Sequence, residues 1–140
     1  MNNYVIDVNV LFGAFISGKE IYPKLFIKNK VFLPDFALLE INKYKEIILK
    51  KNKLKPELLR EFVINLLSNI TVIPEFLISP ESIKTAYELC KDIDEKDSIY
   101  IALSIEFNIP LVTNDKKLTN GLRNKGFKNI IPLEEFMSQN

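Results

Sequence analysis

Five short apolar runs, rich in β-branched residues, alternate with longer segments of helical pattern along this chain. The runs are residues 4–6, 31–33, 70–73, 111–113 and 129–131. Strands separated by helices are usually parallel, because a crossover is needed to return the chain to the start of the next strand. Parallel strands are covered on both faces, which explains why these runs are continuously apolar. We therefore predict a three-layer α/β/α sandwich with a mostly parallel sheet of about five strands.

The length of the chain favours one domain. Of its 140 residues, 47% are hydrophobic, and no linker, repeat or low-complexity segment interrupts them. We therefore expect a single domain over residues 1–140. No apolar stretch approaches the roughly 18 to 20 residues of a membrane helix, and the first residues lack the pattern of a signal peptide. These observations predict a cytoplasmic protein with no membrane association.

Three aspartates flank the predicted strands and helices at places where chemistry is common. Asp7 follows the first strand, Asp115 follows the fourth, and Asp97 precedes the apolar helix 98–107. The carboxyl ends of parallel strands share one edge of the sheet, and α/β proteins bind ligands at that edge. Each aspartate also has a simpler interpretation, because aspartate before a helix is a common N-cap.

A fourth acid lies within a predicted helix that runs to about residue 51, with Asp35 as its N-cap. Glu40 shares one row of this helix with Phe36, Tyr44 and Ile47. An uncompensated carboxylate on an apolar row is costly. We expect a partner group or an ion to meet Glu40, unless the row lies at the helix edge and the carboxylate reaches water.

Histidine is absent from the sequence, which excludes Ser-His-Asp catalysis, Cys-His catalysis and His-ligated zinc. The single cysteine, Cys90, lies on an apolar helical row and is expected to fill the core.

Several carboxylates at one sheet edge would repel each other unless a cation lay among them. Oxygen ligands select Mg²⁺ or Mn²⁺, and such an ion can activate water to hydrolyse a phosphodiester without histidine.

The order and separation of these residues resemble a PIN domain. The segments that carry the resemblance are Val5-Ile6-Asp7-Val8-Asn9-Val10-Leu11, the isolated Glu40, the pair Asp94 and Asp97 ahead of Ala102-Leu103, and Leu111-Val112-Thr113-Asn114-Asp115. The resemblance spans residues 4–136. It implies a parallel sheet between helices and the activity of a metal-dependent nuclease, most often a ribonuclease.

The resemblance also implies roles for individual residues. Those expected to bind metal and carry catalysis are Asp7, Glu40, Asp97 and Asp115. Those expected to support them are Asn9, Thr113, Asn114 and Asp94, although the simpler and favoured interpretation of Asp94 is a solvated residue in an acidic loop. Many family members have Ser or Thr directly after the first aspartate. This chain has Val8 there, so a hydroxyl that could help bind metal or phosphate is missing.

Single PIN domains of this size resemble VapC-like toxins of toxin–antitoxin pairs. This resemblance implies an endoribonuclease that acts on RNA, a small antitoxin protein as partner, and a homodimer. Lys116 and Lys117, next to Asp115, are expected to contact the substrate. A run of lysines within residues 43–55 is either a phosphate-contacting surface or a solvated helix face.

Three other functions compete with the nuclease interpretation. A PIN-like module could bind RNA or protein without cleaving, and Val8 leaves this open. An aspartyl-phosphate phosphatase would use Asp7 as nucleophile but needs an aspartate two residues on, where this chain has Asn9. A phosphoacceptor receiver domain needs an aspartate at the end of its third strand, and residues 70–74 supply none. A dinucleotide enzyme is excluded, because the four glycines form no phosphate-binding loop.

Overall fold

All five strands of the sheet are parallel in the computed structural model, which describes residues 2–140. In chain order they are β1 (Asn3–Ile6), β2 (Lys30–Pro34), β3 (Ile70–Ile73), β4 (Leu111–Thr113) and β5 (Ile130–Pro132). Their order across the sheet is β3-β2-β1-β4-β5. The winding direction therefore reverses between β1 and β4, and in open α/β sheets a crevice forms at such a point beyond the carboxyl ends of the strands.

Helices cover both faces of the sheet, as the sequence predicts. The α-helices of the described chain are α1 (Val8–Ser17), α2 (Ile21–Lys28), α3 (Phe36–Lys43), α4 (Lys45–Lys51), α5 (Pro56–Ser68), α6 (Pro80–Cys90), α7 (Ser98–Phe107), α8 (Lys116–Asn124) and α9 (Leu133–Gln139). Consecutive residues of a strand point to opposite faces. Tyr4, Val5 and Ile6 of β1 are all buried, so neither face of the central strand meets water.

The prediction of a single helix over residues 35–51 is wrong, because this segment forms two helices. The backbone at Tyr44 leaves the helical region, and α3 ends there while α4 begins at the next residue. The Tyr44 ring packs edge-on against Phe12 of α1 at 5.4 Å, and Ile48 of α4 is buried. The break thus directs both groups onto α1.

Asp35 occupies the predicted N-cap position of α3, but it does not cap the helix with its side chain. Asp35 has helical backbone angles, and its side chain makes no capping hydrogen bond. Its backbone N–H instead donates to the carbonyl of Ile73 at 3.0 Å. The start of α3 is therefore held by the neighbouring edge strand β3 and not by a side-chain cap.

Helix α7 lies at the centre of the core, as its apolar composition predicts. Its residues from Tyr100 to Ser104 are all buried, and it packs against β1, β2 and β4. Cys90, at the end of α6, is fully buried and its thiol is free. Burial also raises the pKa of this thiol to about 11, which keeps it protonated and makes it a poor nucleophile. No helix within residues 2–140 is long and apolar enough to cross a bilayer.

Candidate metal centre

Asp7 and Thr113 meet where β1 and β4 end side by side. Asp7 is almost fully buried and caps α1, because its Oδ1 accepts a hydrogen bond from the backbone N–H of Asn9 at 3.1 Å. Its Oδ2 accepts one from the Thr113 hydroxyl at 3.0 Å. The same hydroxyl oxygen accepts from the backbone N–H of Asp115 at 3.1 Å. Thr113 therefore fixes the position of Asp7 relative to Asp115.

Three further carboxylates form a tight cluster beside this pair of strands. Each of Asp94, Asp97 and Asp115 contributes one carboxylate oxygen, and these three oxygens lie within 4.8 Å of one another. Asp94 ends the loop after α6, and its side chain accepts from the backbone N–H of Lys96. It is half-buried rather than fully solvated. The structure thus brings together aspartates from two separate crossovers at the carboxyl edge of the sheet.

The N-cap interpretation is confirmed for Asp115 and fails for Asp97. The Oδ1 of Asp115 accepts from the backbone N–H of Leu118 at 3.0 Å and so caps α8. Asp97 ends a short 3₁₀ turn, Glu95–Asp97, and its side chain makes no capping hydrogen bond to α7. Asp97 as a residue is only 8% exposed, and its carboxylate is not used as a cap, so no local hydrogen bond accounts for an acid at this position.

Glu40 meets a partner group, as the sequence predicts, and the residue that supplies it was not predicted. The hydroxyl of Tyr100 donates to Glu40 Oε1 at 2.6 Å, across a sequence separation of 60 residues. Tyr100 is buried in α7, and Glu40 is half-buried on α3. Burial and the adjacent Glu40 raise the pKa of Tyr100 well above its usual value, so the hydroxyl stays protonated and can only orient the carboxylate as a donor. The one sequence signal was a phenol in the first turn of an apolar helix.

Burial and like charges destabilise the ionised form of two of these acids. Burial raises the pKa of Asp97 to about 7, and the negative charges of Asp7, Asp94, Asp115 and Glu40 add to this rise. Burial also raises the pKa of Asp7, although the hydrogen bonds from Asn9 and Thr113 partly oppose the effect. Keeping these carboxylates ionised close together therefore costs the folded protein electrostatic free energy, and a bound cation would remove this cost.

The donor set fits a hard divalent cation. Asp7, Glu40, Asp94 and Asp97 line one cleft of about 380 Å³, and Asp115 joins Asp94 and Asp97 from the other side. All five offer carboxylate oxygens, which Mg²⁺ and Mn²⁺ prefer. Oxygens that already accept one hydrogen bond keep a second lone pair for a metal.

The supporting residues predicted from sequence are less uniform. The Asn9 and Asn114 side chains are exposed, and Asn9 supports Asp7 through its backbone. Val8 is 2% exposed, so the position lacking a hydroxyl is filled by a packed apolar side chain. A second residue missed from sequence is Lys96, which lines the cleft beside Glu40 and Asp97. It is an exposed cation next to the acids.

The lysines near the site are all exposed. Lys116 lines a pocket on the α8 side of the cluster, whereas the adjacent Lys117 does not. The lysine run within residues 43–55 lies on the surface of α3, α4 and the following loop. Its exposure agrees with both interpretations of that run, the solvated face and the phosphate-contacting surface.

One protein family accounts for the order of these elements. A family model described as PIN domain matches residues 5–132. Because the match covers most of the chain, it identifies the family directly from sequence. No curated protein sequence matches the chain.

Three solved structures share the fold. A Pyrobaculum aerophilum protein aligns with a TM-score of 0.65 and 14% identity, covering 99% of this chain and 88% of that one. VapBC2 from Rickettsia felis, bound to a DNA fragment from its promoter, aligns with a TM-score of 0.58 and 21% identity, covering 93% and 96%. A toxin–antitoxin complex from Klebsiella pneumoniae aligns with a TM-score of 0.56 and 15% identity, covering 91% and 95%.

Proposed function

This chain belongs to the PIN-domain family, whose members are largely metal-dependent nucleases, and we propose that it is a Mg²⁺- or Mn²⁺-dependent endoribonuclease formed by one domain over residues 1–140. The observation that carries the proposal is the convergence of five carboxylates at the carboxyl edge of β1 and β4. One of them, Asp97, is buried without serving as a helix cap.

The catalytic acids of this proposal are Asp7, Glu40, Asp97 and Asp115, with Asp94 as a supporting acid. These carboxylates would hold a hard divalent cation, which would supply acidified water for hydrolysis of a phosphodiester and positive charge to offset that on the phosphate. The chain itself holds the acids in place. Thr113 fixes Asp7 by a hydrogen bond of 3.0 Å, and Tyr100 fixes Glu40 by one of 2.6 Å.

Basic side chains would bind the substrate around this centre. Lys116 and Lys117 begin α8 directly after Asp115 and are exposed, so both can reach phosphates of an RNA strand. Lys96 lines the cleft beside Asp97 and is a further candidate. Lysine contacts with phosphate release counterions, and we therefore expect RNA binding to weaken as salt rises.

We also propose a small antitoxin protein as partner, and a homodimer. The support is that structural neighbours of this chain include VapBC2 and a toxin–antitoxin complex. The surface of α3 and α4 near the cleft exposes large apolar groups, among them Leu39 at 67% and Ile47 at 47%. Exposed apolar groups next to a catalytic cleft suit coverage by a partner chain.

Cleavage of RNA by the purified protein tests the activity. We expect cleavage with Mn²⁺, none with excess chelator, and none by Asp7→Asn. The matched control is Asp35→Asn, which makes the same charge change at an exposed aspartate with no capping role. Equal cleavage by Asp7→Asn and the wild type would refute the assigned site.

Calorimetry with Mn²⁺ separates the nuclease from a PIN-like module that binds without cleaving. The specific observation in favour of the module is the buried Val8 in place of a hydroxyl. Binding that Asp97→Asn abolishes supports the enzyme. If the wild type binds no Mn²⁺, the passive module is the better description.

A further inference from the structure

A second pocket opens directly beside the acidic cluster and shares Asp115 with it. Its volume is about 200 Å³, and Thr113 and Asp115 lie in its lining, so it adjoins the proposed metal centre. The rest of the lining comes from the exposed side of α8 and from the junction of β5 with α9. A strand passing through the centre would meet this pocket next.

The lining of the pocket is polar and includes two cations and two carboxylates, one of which is Asp115 on the side of the metal centre. Lys116, Asn120 and Arg123 contribute from α8, and Glu134 contributes from α9. The Arg123 guanidinium is held in place, because its Nη2 donates to the carbonyl of Ile130 at 3.1 Å. A guanidinium carries five N–H donors, so a single anchoring bond leaves others for a ligand. The anchor fixes the direction of the group before any ligand arrives, which lowers the entropy lost on binding.

Asn120 supplies the pocket with both kinds of hydrogen-bonding group. Its side chain is exposed, and an amide offers one carbonyl acceptor and two N–H donors. Such a group can read the edge of a base, as asparagine does in nucleic-acid complexes. Pro132 and Leu133 add an apolar surface against which a base can lie.

The cleft on the opposite side of the cluster has a different character. Away from its acids it is lined mainly by apolar side chains, including Phe12, Ile16 and Ile47, and it has one cation, Lys96. A nucleotide needs both phosphate contacts and groups for its base edge. The α8 pocket offers both within one cavity that adjoins Asp115.

We propose that the α8 pocket binds the nucleotide next to the scissile phosphate. In this arrangement Lys116 and Arg123 contact its phosphate and Asn120 contacts the edge of its base. The inference rests on the proposed ribonuclease function and deepens it, because it predicts that cleavage depends on the identity of one flanking base.

Two asparagines of the same helix give a matched test. Asn120 lines the pocket, whereas Asn124, one turn further along α8, is equally exposed and does not line it. We compare Asn120→Asp with Asn124→Asp by fluorescence anisotropy of a labelled single-stranded RNA oligonucleotide. A chelator is present to remove divalent metal, so that the RNA is bound without being cleaved. Asn120→Asp should weaken binding about 10-fold, because it places a carboxylate against the phosphate and base. Asn124→Asp should stay within about twofold of the wild type, since its charge change lies outside the pocket.

Cleavage of a randomised RNA pool, read by sequencing the product ends, gives the second readout. Asn120→Ala should relax the base preference at one position beside the cut, and Asn124→Ala should leave it unchanged. A general fault in folding would not change the base preference at one position only. Equal unfolding midpoints of the variants in urea provide the control for folding.

The outcomes distinguish this inference from the proposed activity. If the wild type cleaves RNA but both asparagine variants bind and cut alike, the pocket assignment is overturned and the ribonuclease stands. If Asn120→Asp alone weakens oligonucleotide binding but no protein cleaves, the pocket stands as a nucleotide-binding site, whereas the activity and the position of the pocket beside a scissile phosphate are both overturned. If the wild-type protein does not bind the oligonucleotide, the pocket assignment is overturned.

Discussion

Replacing Asp97 by asparagine should stabilise the metal-free protein at alkaline pH while removing its metal site. The substitution keeps the size of the side chain and removes a charge that is buried among four other acids. The Asp97 side chain makes no capping hydrogen bond, so no cap is lost. Destabilising charges retained at a functional site are a common cause of a trade-off between stability and activity.

The expected size and pH dependence of this effect follow from the pKa of Asp97. This pKa lies at about 7 in the folded protein and at 3.8 when unperturbed. Because the folded state holds its proton more tightly, the wild type loses stability as pH rises from about 4 through 7. At roughly 1.4 kcal/mol per pH unit, the cost is at most about 4 kcal/mol at pH 8 and about 2 kcal/mol at pH 5, and solvent screening of the partly exposed carboxylate lowers both values. The asparagine side chain carries no such charge, so the variant escapes this cost at both pH values.

Urea unfolding with chelator at pH 8 and pH 5 measures the effect. We expect Asp97→Asn to exceed the wild type in free energy of unfolding by about 2 to 4 kcal/mol at pH 8, and by less at pH 5. Asp35→Asn, the exposed control, should change the free energy by less than about 0.5 kcal/mol at both. Adding Mn²⁺ should then raise the stability of the wild type and not that of Asp97→Asn. A variant no more stable than the wild type at pH 8 would refute the reasoning.

Four further substitutions test how the acids and the fold are held. Tyr100→Phe removes the 2.6 Å hydrogen bond to Glu40. It should weaken Mn²⁺ binding about 10-fold in calorimetry, which equals about 1.4 kcal/mol. Unchanged affinity would mean that Glu40 needs no hydrogen bond to orient it. Thr113→Val leaves the Oδ2 of Asp7 and the N–H of Asp115 without their partner, and urea unfolding should show a loss of about 1 to 3 kcal/mol. Gly18→Ala places a Cβ 2.6 Å from Leu54 at φ +63, whereas Gly126→Ala has φ +89 and open space around it. Gly18→Ala should therefore lower the thermal midpoint more than Gly126→Ala, and equal losses would show that only backbone conformation matters.

The secondary structure could be predicted well where local pattern decides it. The runs at residues 4–6 and 111–113 become strands, and the helix ending before Gly18 ends there because Gly18 adopts a left-handed conformation as its C-cap. The break at Tyr44 could not be predicted from the sequence, because the same row of residues at helical spacing continues from α3 into α4. What separates them is the packing of the Tyr44 ring on Phe12, a contact that no local window contains.

The candidate site divides in a similar way. The sequence alone marks Asp7, Asp97 and Asp115 as aspartates beside helix starts, but it cannot separate a cap from a metal ligand, since both place the same residue type before a helix. The structure shows that the two roles are compatible, because Asp115 caps α8 and also lies in the acidic cluster, whereas Asp97 lies in the cluster and makes no cap. Asp7 is both a cap and a member of the acidic edge.

The sequence by itself determined the alternation of strands and helices, the central apolar helix, and a chemistry limited to carboxylates by the absence of histidine. These properties follow from local periodicity and from composition. Only the tertiary structure decided that Tyr100 meets Glu40 across 60 residues, that Thr113 meets Asp7 across 106, and that a polar pocket adjoins Asp115. Such contacts depend on how strands are ordered in the sheet, and that order is set by packing of the whole chain rather than by any single segment.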